Sequence, residues 1–423
     1  MQGRDIYAQI MGIRRPWTVV DVRTDAERKE VVVEVAAAFD AEFACIACGK
    51  VCPRYDARPR RWRHLDTCQY KTIVAADVPR VECKEHGVQQ VLVPWAETGS
   101  RFTGLFEAVA IDWLKEASLS AVARRMGLTW HEVDGIMERA VLRGLASRKR
   151  VAPRRMGVDE TSFQKRHEYV TVVTNLEGTE VLYVADDRSK ESLAAFFRQL
   201  RPADRRKIAV VAMDMHQPYI AATRDAVPDA DTKIVFDKFH VAKHLGDAVD
   251  KVRRQEHREL MADDDWTLKG SKYLWLQRPE HMDADTWDSE FKLLRESSLR
   301  TARAWALKEA AGSLWRYASR AWATKAWRKW TAWARRSKLD PMKKAAATVR
   351  NHLGGIVNAV VTGATNAASE SINSKIQKVK RLACGFRNRE RFRNAIYFHL
   401  GGLNLYPATA GGTHTKPRSA LFF

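Results

Sequence analysis

The chain lacks any apolar run near about 18 residues and lacks a signal-peptide pattern at its N-terminus, so neither a helical membrane span nor secretion by that route is expected. Cysteine is sparse, six in 423 residues, and five of the six fall between positions 45 and 83. A local cluster in so long a chain excludes a disulfide framework and points to a metal. Internal repeats are absent, which excludes solenoids. Acidic residues are in deficit, 51 Asp and Glu against 72 Lys and Arg, leaving a formal charge of +21. Such a surplus repels itself unless a polyanion screens it, and with no membrane segment the expected partner is nucleic acid inside a cell.

What is plentiful is apolar side chain, 45% of the sequence, enough for two to four folded units in a chain larger than one core. Trp17 to Val22 and Val31 to Phe43 alternate as a small antiparallel sheet would. Helical periodicity follows the Pro94 to Gly104 connection and runs to about residue 145. The connector Ser147 to Arg155 is basic, as suits either a phosphate backbone or a solvated linker. From Met156, MGVDETSF, YVTVVTNL and TEVLYVAD read as a three-strand meander. Helix SKESLAAFFRQL, buried strand KIAVVAMDM, helix QPYIAATRDAV and strand TKIVFDKFH come next. By analogy of element order this is an α/β, ribonuclease-H-like core.

Residues 241–362 are helical in pattern and hold nine of the fourteen tryptophans. On a helical wheel Trp305, Trp315, Trp322, Trp330 and Trp333 fall within roughly 140°. That width predicts a core-facing stripe rather than a base-stacking surface. The last element runs from about Asn366 to Lys380, and the tail after Pro407 is expected to be disordered. The resulting domains are a zinc-binding domain over 1–95, a helix-turn-helix domain over 96–150, the first part of the core over 151–240, an all-helical insertion over 241–362, the rest of the core over 363–407, and a tail over 408–423.

Three groups of residues carry chemistry. Cys45 and Cys48 form one C-x-x-C knuckle, and Cys83 with His86 forms a C-x-x-H knuckle after a stretch long enough for a hairpin. Together they offer the four ligands of a closed, structural zinc site, with Cys52 and Cys68 as spare donors. Leu119, Val122, Ala123 and Met126 then mark one helix face, Gly127 a turn, and Thr129 with Glu132 a capping box opening a second helix. This helix-turn-helix would present Trp130, His131 and Asp134 to a major groove, with Arg139 and Arg143 placed for phosphates and Arg148, Lys149 and Arg150 following.

The third group is acidic. Asp159 lies within an apolar strand, where an unpaired charge needs a metal or a strong partner. Asp214 ends KIAVVAMD, at the strand end where sites form and where helix-capping carboxylates also sit. Glu370 lies on a helix face with Asn366, Asn373 and Gln377, a stripe that a solvent-facing surface also explains. Two strand carboxylates and one helix carboxylate suit a pair of Mg2+ or Mn2+ ions, the apparatus of phosphodiester transfer. Lys375, Lys378, Lys380, Arg381 and Arg387 follow, with Arg389, Arg391 and Arg393 beyond, as a basic run that would hold a DNA backbone.

The blocks GVDE, AMDMHQPYI, FDKFHVAKHL and TNAASESINSKIQKVKRLACGFRN resemble those of insertion-sequence DDE transposases of the ISL-three family. The resemblance extends over nearly the whole chain. It implies a catalytic triad of Asp159, Asp214 and Glu370, and a zinc segment at Cys45, Cys48, Cys83 and His86, the histidine standing where a cysteine is more usual. Asp237 and His240 match its D-x-F-H block, as support for the metals or the DNA or as strand-end structure, and Asn366 is a further supporting candidate. The family further implies a bacterial, nucleoid-associated cytoplasmic enzyme acting on double-stranded DNA, both element ends and target, as a dimer on paired ends. A zinc and helix-turn-helix regulator without catalysis, and a metal-dependent nuclease without joining, are the alternatives.

Overall fold

The computed structural model describes residues 3–164 and 168–408, the side chain of residue 290 excepted. The tail expected over 408–423 lies outside the described residues beyond position 408. Contacts divide the chain into one unit of Met1–Lys149 with Val379–Phe423, and a second of Arg150–Lys378.

In the first unit α1 (Gly3–Ile10) precedes the hairpin β1 (Trp17–Asp25) and β2 (Glu30–Ala37). Its alternation buries Trp17, Val19, Val31, Val33 and Val35. The short hairpin β3 (Phe43–Ala44) and β4 (Val51–Cys52) carries the first knuckle. A long hairpin, β5 (Arg54–Thr67) and β6 (Tyr70–Cys83), extends the sheet, because β6 pairs parallel with β2 and antiparallel with β7 (Gly87–Gln90). The sheet is therefore mixed, not purely antiparallel. Pro59 sits in β5 at the sheet edge, where its missing N–H costs no ladder bond. Trp95 meets Trp17 and Trp62 edge-on at 5.0 and 5.4 Å to close the core.

Helices α2 (Gly104–Glu116), α3 (Leu119–Met126) and α4 (Trp130–Ser147) follow. Ser118 caps α3, Gly127 ends it at φ 62°, and Thr129 with Glu132 forms the expected capping box on α4. Against α4 packs a helix of residues 389–400, where the sequence alone suggests only a basic run along DNA. Residues 379–407 were expected with the catalytic core, yet the contacts group them with the helix-turn-helix. Gly144 on α4 admits Leu403, whose Cβ would stand 2.7 Å from any Cβ there.

In the second unit β8 (Arg155–Gln164), β9 (Glu168–Asn175) and β10 (Glu180–Ala185) form the expected meander. β11 (Val210–Met213) pairs parallel with β8, and β12 (Ile234–Phe236) parallel with β11, giving the order β10-β9-β8-β11-β12. On one face α5 (Lys190–Gln199) and α7 (Gln217–Ala226) bury Leu193, Phe196, Phe197 and Ile220 among Met156, Val158, Val211 and Met213. The turns α6 (Pro202–Lys207) and α8 (Ala230–Lys233) precede β11 and β12.

From β12 onward come α9 (Lys238–Ala262), α10 (Lys272–Leu276), α11 (Ala284–Asp288), α12 (Glu290–Arg295), α13 (Arg300–Ser313), α14 (Arg320–Arg336), α15 (Asp340–Asn351) and α16 (Leu353–Thr362). α16 covers the other sheet face, where Ala359 meets Val210, Ala212 and Val235. α17 (Ala367–Leu382) and α18 (Arg389–Leu400) end the described helices, with the unit boundary inside α17.

The tryptophan stripe needs correction. Trp327 and Trp330 are buried and Trp305 and Trp315 pack against the same core, but Trp322 and Trp333 are exposed. A 3-10 turn at Leu314–Arg316 and an extended Tyr317 interrupt the helix, so one wheel cannot carry its phase from Trp305 to Trp333.

Candidate functional site

Register places the aspartates side by side. Val158 on β8 is opposite Met213 on β11, and Met213 is opposite Phe236 on β12. The residue that follows each of these three is an aspartate: Asp159 within β8, and Asp214 and Asp237 just past the ends of β11 and β12.

α17 lies along β8 on the same face as Asp159. Gly157, Asp159 and Thr161 meet Ser369, Asn373 and Gln377 in turn. Two strand residues advance about 6.7 Å and four helical residues 6 Å, so helix and strand stay in step. Asn373 Nδ2 donates to Asp159 Oδ2 at 2.8 Å, and Gln377 Nε2 to Thr161 Oγ1 at 2.8 Å. Ser369 Oγ stands 2.9 Å from Thr174 Oγ1 on β9. Gly157 permits this approach, for a methyl there would overlap Ser369 Oγ and stand 2.7 Å from Thr174 Oγ1. The stripe of Asn366, Glu370, Asn373 and Gln377 is therefore no solvent face. It runs over the strand bearing Asp159, and half-buried Glu370 lies between Asn366 and Asn373 on it.

The electrostatics favour a cation. Asp159 accepts from the Glu160 N–H at 2.8 Å and from Asn373, and among the described residues it pairs with no lysine or arginine. Burial lifts its carboxyl to about 6; the Asp214 charge adds to the rise and His240 opposes it. Asp214 Oδ1 accepts from the Met215 N–H at 2.6 Å and stands 3.6 Å from His240 Nδ1. Asn366 is fully buried with both side-chain polar atoms unpartnered, and Asn373 Oδ1 is likewise unpartnered. Asp237 is differently employed: its carboxylate caps α9 through the Phe239 N–H at 2.7 Å and accepts the Asn366 N–H, fixing the start of α17.

In the first unit Cys45, Cys48, Cys83 and His86 converge, one ligand atom of each within 4.8 Å of the others. Cys48 and Cys83 sulfurs are 3.7 Å apart, and His86 Nδ1 is 3.5 Å from Cys83. Tetrahedral zinc with its usual bond lengths needs edges of about 3.8 and 3.6 Å. The His86 ring holds the Cys83 thiol down to about 6, toward the thiolate a metal needs. Cys52 and Cys68 stand outside the group.

Several expected DNA contacts are occupied. Arg139 and Arg143 both pair with Glu107, a buried acid on α2, and Arg143 also with Glu97. They hold helices together and are not placed for phosphates. Arg391 pairs with Asp134 at 2.8 Å and covers the Trp130 ring at 4.6 Å. Arg148 donates to the Gly401 carbonyl at 2.7 Å. His131, Lys149, Arg150, Lys375, Lys378, Arg381 and Arg387 are exposed, and Lys380 is half-buried. Edge strand β5 carries exposed Arg54, Arg58, Arg60 and Arg61, of which Arg54 donates to the Ala38 and Ala41 carbonyls, Arg60 to Gln90, and Arg61 pairs with Glu30.

The chain is similar in sequence to known proteins. Residues 156–396 match the DDE ISL3 family, described as transposase, and residues 91–141 match the helix-turn-helix domain of transposase family ISL3. The chain belongs to transposase family ISL3. Residues 41–86 of the transposase match the zinc-finger of transposase IS204/IS1001/IS1096/IS1165, a span that contains all four clustered ligands. It is 29% identical over 354 residues to the transposase for insertion sequence element IS1001 of Bordetella parapertussis, covering 82% of this chain and 86% of that one. It is 26% identical over 449 residues to the transposase for IS1557 of Mycobacterium tuberculosis, covering 99% of each. The protein is a DNA transposase, an enzyme that cuts and joins DNA, with a helix-turn-helix for binding it. Among the described residues no helix is long and apolar enough to cross a membrane.

Proposed function

We propose that the transposase grips the terminal inverted repeats of an insertion sequence with its zinc and helix-turn-helix modules, and cuts and joins strands at Asp159, Asp214 and Glu370. The catalytic unit is read as a ribonuclease-H-like core, supported by the β10-β9-β8-β11-β12 order, with α9 to α16 as an all-helical insertion. The observation that carries the reading is the seating of α17 on β8, which brings the Glu370 stripe over Asp159 beside Asp214.

The donors fit hard divalent cations: carboxylate oxygens, one of them, Asp159, with no lysine or arginine partner among the described residues, beside unpartnered amide oxygens of Asn366 and Asn373. Asp159, Asp214 and Glu370 would hold Mg2+ or Mn2+, two per site. Bound there, such ions supply Lewis-acid stabilisation to the attacking and departing oxygens of a phosphodiester. The chain's part is to orient. Asn373 fixes Asp159, the Met215 N–H fixes Asp214, and Asp237 anchors the helix bearing Glu370. Hydrolysis then frees a 3'-hydroxyl that attacks a target phosphodiester in line, forming the new P–O bond as the target strand's own 3'-oxygen departs as a hydroxyl, with no protein nucleophile. Cys45, Cys48, Cys83 and His86 would hold one structural zinc, and a homodimer would hold the two ends.

Asp159→Asn and Glu370→Gln test this on labelled end DNA with Mg2+. Cleavage should fall by at least about 10²-fold with end binding retained. Unchanged Mg2+-dependent cleavage in either variant overturns the assignment. Pre-cut ends incubated with plasmid should yield joined product; a nuclease would yield none.

A further inference from the structure

α14 carries a second surface that the cutting reaction leaves unexplained. Its sequence RAWATKAWRKWTAWARR has six cationic residues and no acidic one. Its buried side, Ala323, Trp327, Trp330 and Ala334, faces the helical core. The opposite side presents Trp322, Lys325, Lys329, Trp333 and Arg336, spaced i, i+3, i+7, i+11 and i+14, a single stripe that interleaves two aromatic with three cationic groups. Trp322 is 61% exposed and Trp333 45% exposed. With Tyr317 opposite, the stripe lines a cleft of about 610 Å³ whose lining contains no acid. Lys325 Nζ already sits 5.2 Å from the Trp322 ring centre.

Two large indoles left in water between ammonium groups are costly for a fold that buries neighbouring tryptophans completely. They are the elements of a single-strand platform: flat rings on which any base stacks, flanked by cations that follow the backbone. We propose that this cleft binds an unpaired segment of DNA strand, its bases stacking on Trp322 and Trp333 and its phosphates meeting Lys325, Lys329 and Arg336. Charge selects the occupant, since an acid-free cationic cleft on a DNA enzyme complements a polyanion. Strand cutting at an element end supplies the ligand, because a strand freed of its partner there costs least to unstack onto the rings. The proposal rests on the reading of the transposase as an enzyme that cuts element ends, and it adds a site for the strand so exposed.

Fluorescence anisotropy of the full-length protein, with a labelled oligothymidylate and in parallel a labelled duplex end, tests it at raised salt, where phosphate contacts weaken. Trp322→Ala with Trp333→Ala should lose at least about ten-fold in single-strand affinity with duplex affinity unchanged, whereas Trp→Phe at both should stay within about three-fold. Both residues are exposed, so thermal melting should be unchanged. The proposal is overturned if the double alanine variant binds the oligonucleotide like wild type, or loses both ligands equally. It is also overturned if wild type is a larger oligomer that the variant dissociates, which would make a second copy the occupant. Asp159→Asn separates the two readings: it should abolish cleavage and leave oligothymidylate binding intact, and undiminished cleavage would count against the triad without touching the cleft.

Discussion

Gly157→Ala probes the seating of α17 with the smallest possible change. The added methyl would overlap Ser369 Oγ and lie 2.7 Å from Thr174 Oγ1 and 3.0 Å from Asn366 Oδ1. Ordinary contact needs about 3.4 Å or more, and β8 is a central strand, so α17 must yield by about an ångström. Overpacking of this kind costs about 1–3 kcal/mol in stability. The larger effect is on chemistry, because the same shift stretches the bond from Asn373 to Asp159 and carries Glu370 with it. A misplacement of that size costs about 10²-fold in rate. Cleavage of labelled end DNA should therefore drop about a hundred-fold while end binding holds, and Ser369→Ala in the same chain, which removes the worst overlap, should restore about ten-fold. Wild-type cleavage by Gly157→Ala, or no recovery in the double variant, would refute the argument that α17 positions the site.

Other expectations follow from single contacts. Glu107→Ala strands two guanidiniums and should destabilise the first unit by about 3 kcal/mol in urea titration, the low end for a broken buried pair because Arg139 and Arg143 are partly solvated; a loss under about 1 kcal/mol would deny the cluster its structural role. Burial holds His64 down at about 4, so the folded state keeps it neutral and the stability it contributes is complete above its ordinary value of 6.5 and fades as pH falls toward 4. From pH 7 to pH 5 the wild type should lose about 2 kcal/mol more than His64→Gln, measured by unfolding at each pH. Metal analysis should find one zinc per chain, absent from Cys83→Ser and retained in Cys52→Ser and Cys68→Ser; chelation should raise hydrogen exchange over residues 41–86.

Much of this was legible because the local signals are self-contained. The capping box at Thr129 and Glu132, the left-handed Gly127 and the spacing of Cys45, Cys48, Cys83 and His86 each act over a few residues or require only one long-range meeting. The succession of strands and helices along the second unit followed from the switch in hydrophobic period, whereas the order of the strands in the sheet came from the fold. What sequence concealed was the identity of the partner across space. The wheel showed that Asn366, Glu370, Asn373 and Gln377 share a face, but only the fold reveals that β8 lies beneath it. Arg139 and Arg143 were indistinguishable from phosphate ligands until Glu107, 32 and 36 residues earlier, came to lie against them. α18 was hidden by its arginines, one of which serves Asp134 and Trp130.

The most direct measurement is iron-directed cleavage of the protein itself. Zinc-loaded transposase is charged with Fe2+ in place of Mg2+ and treated with ascorbate and peroxide, so that hydroxyl radicals cut the backbone beside each bound ion. Cuts should fall near residues 159, 214 and 370 and vanish with excess Mg2+ or in Asp159→Asn. Cuts near the two aspartates alone, or at positions unaffected by Mg2+, would contradict a shared cation site that includes Glu370.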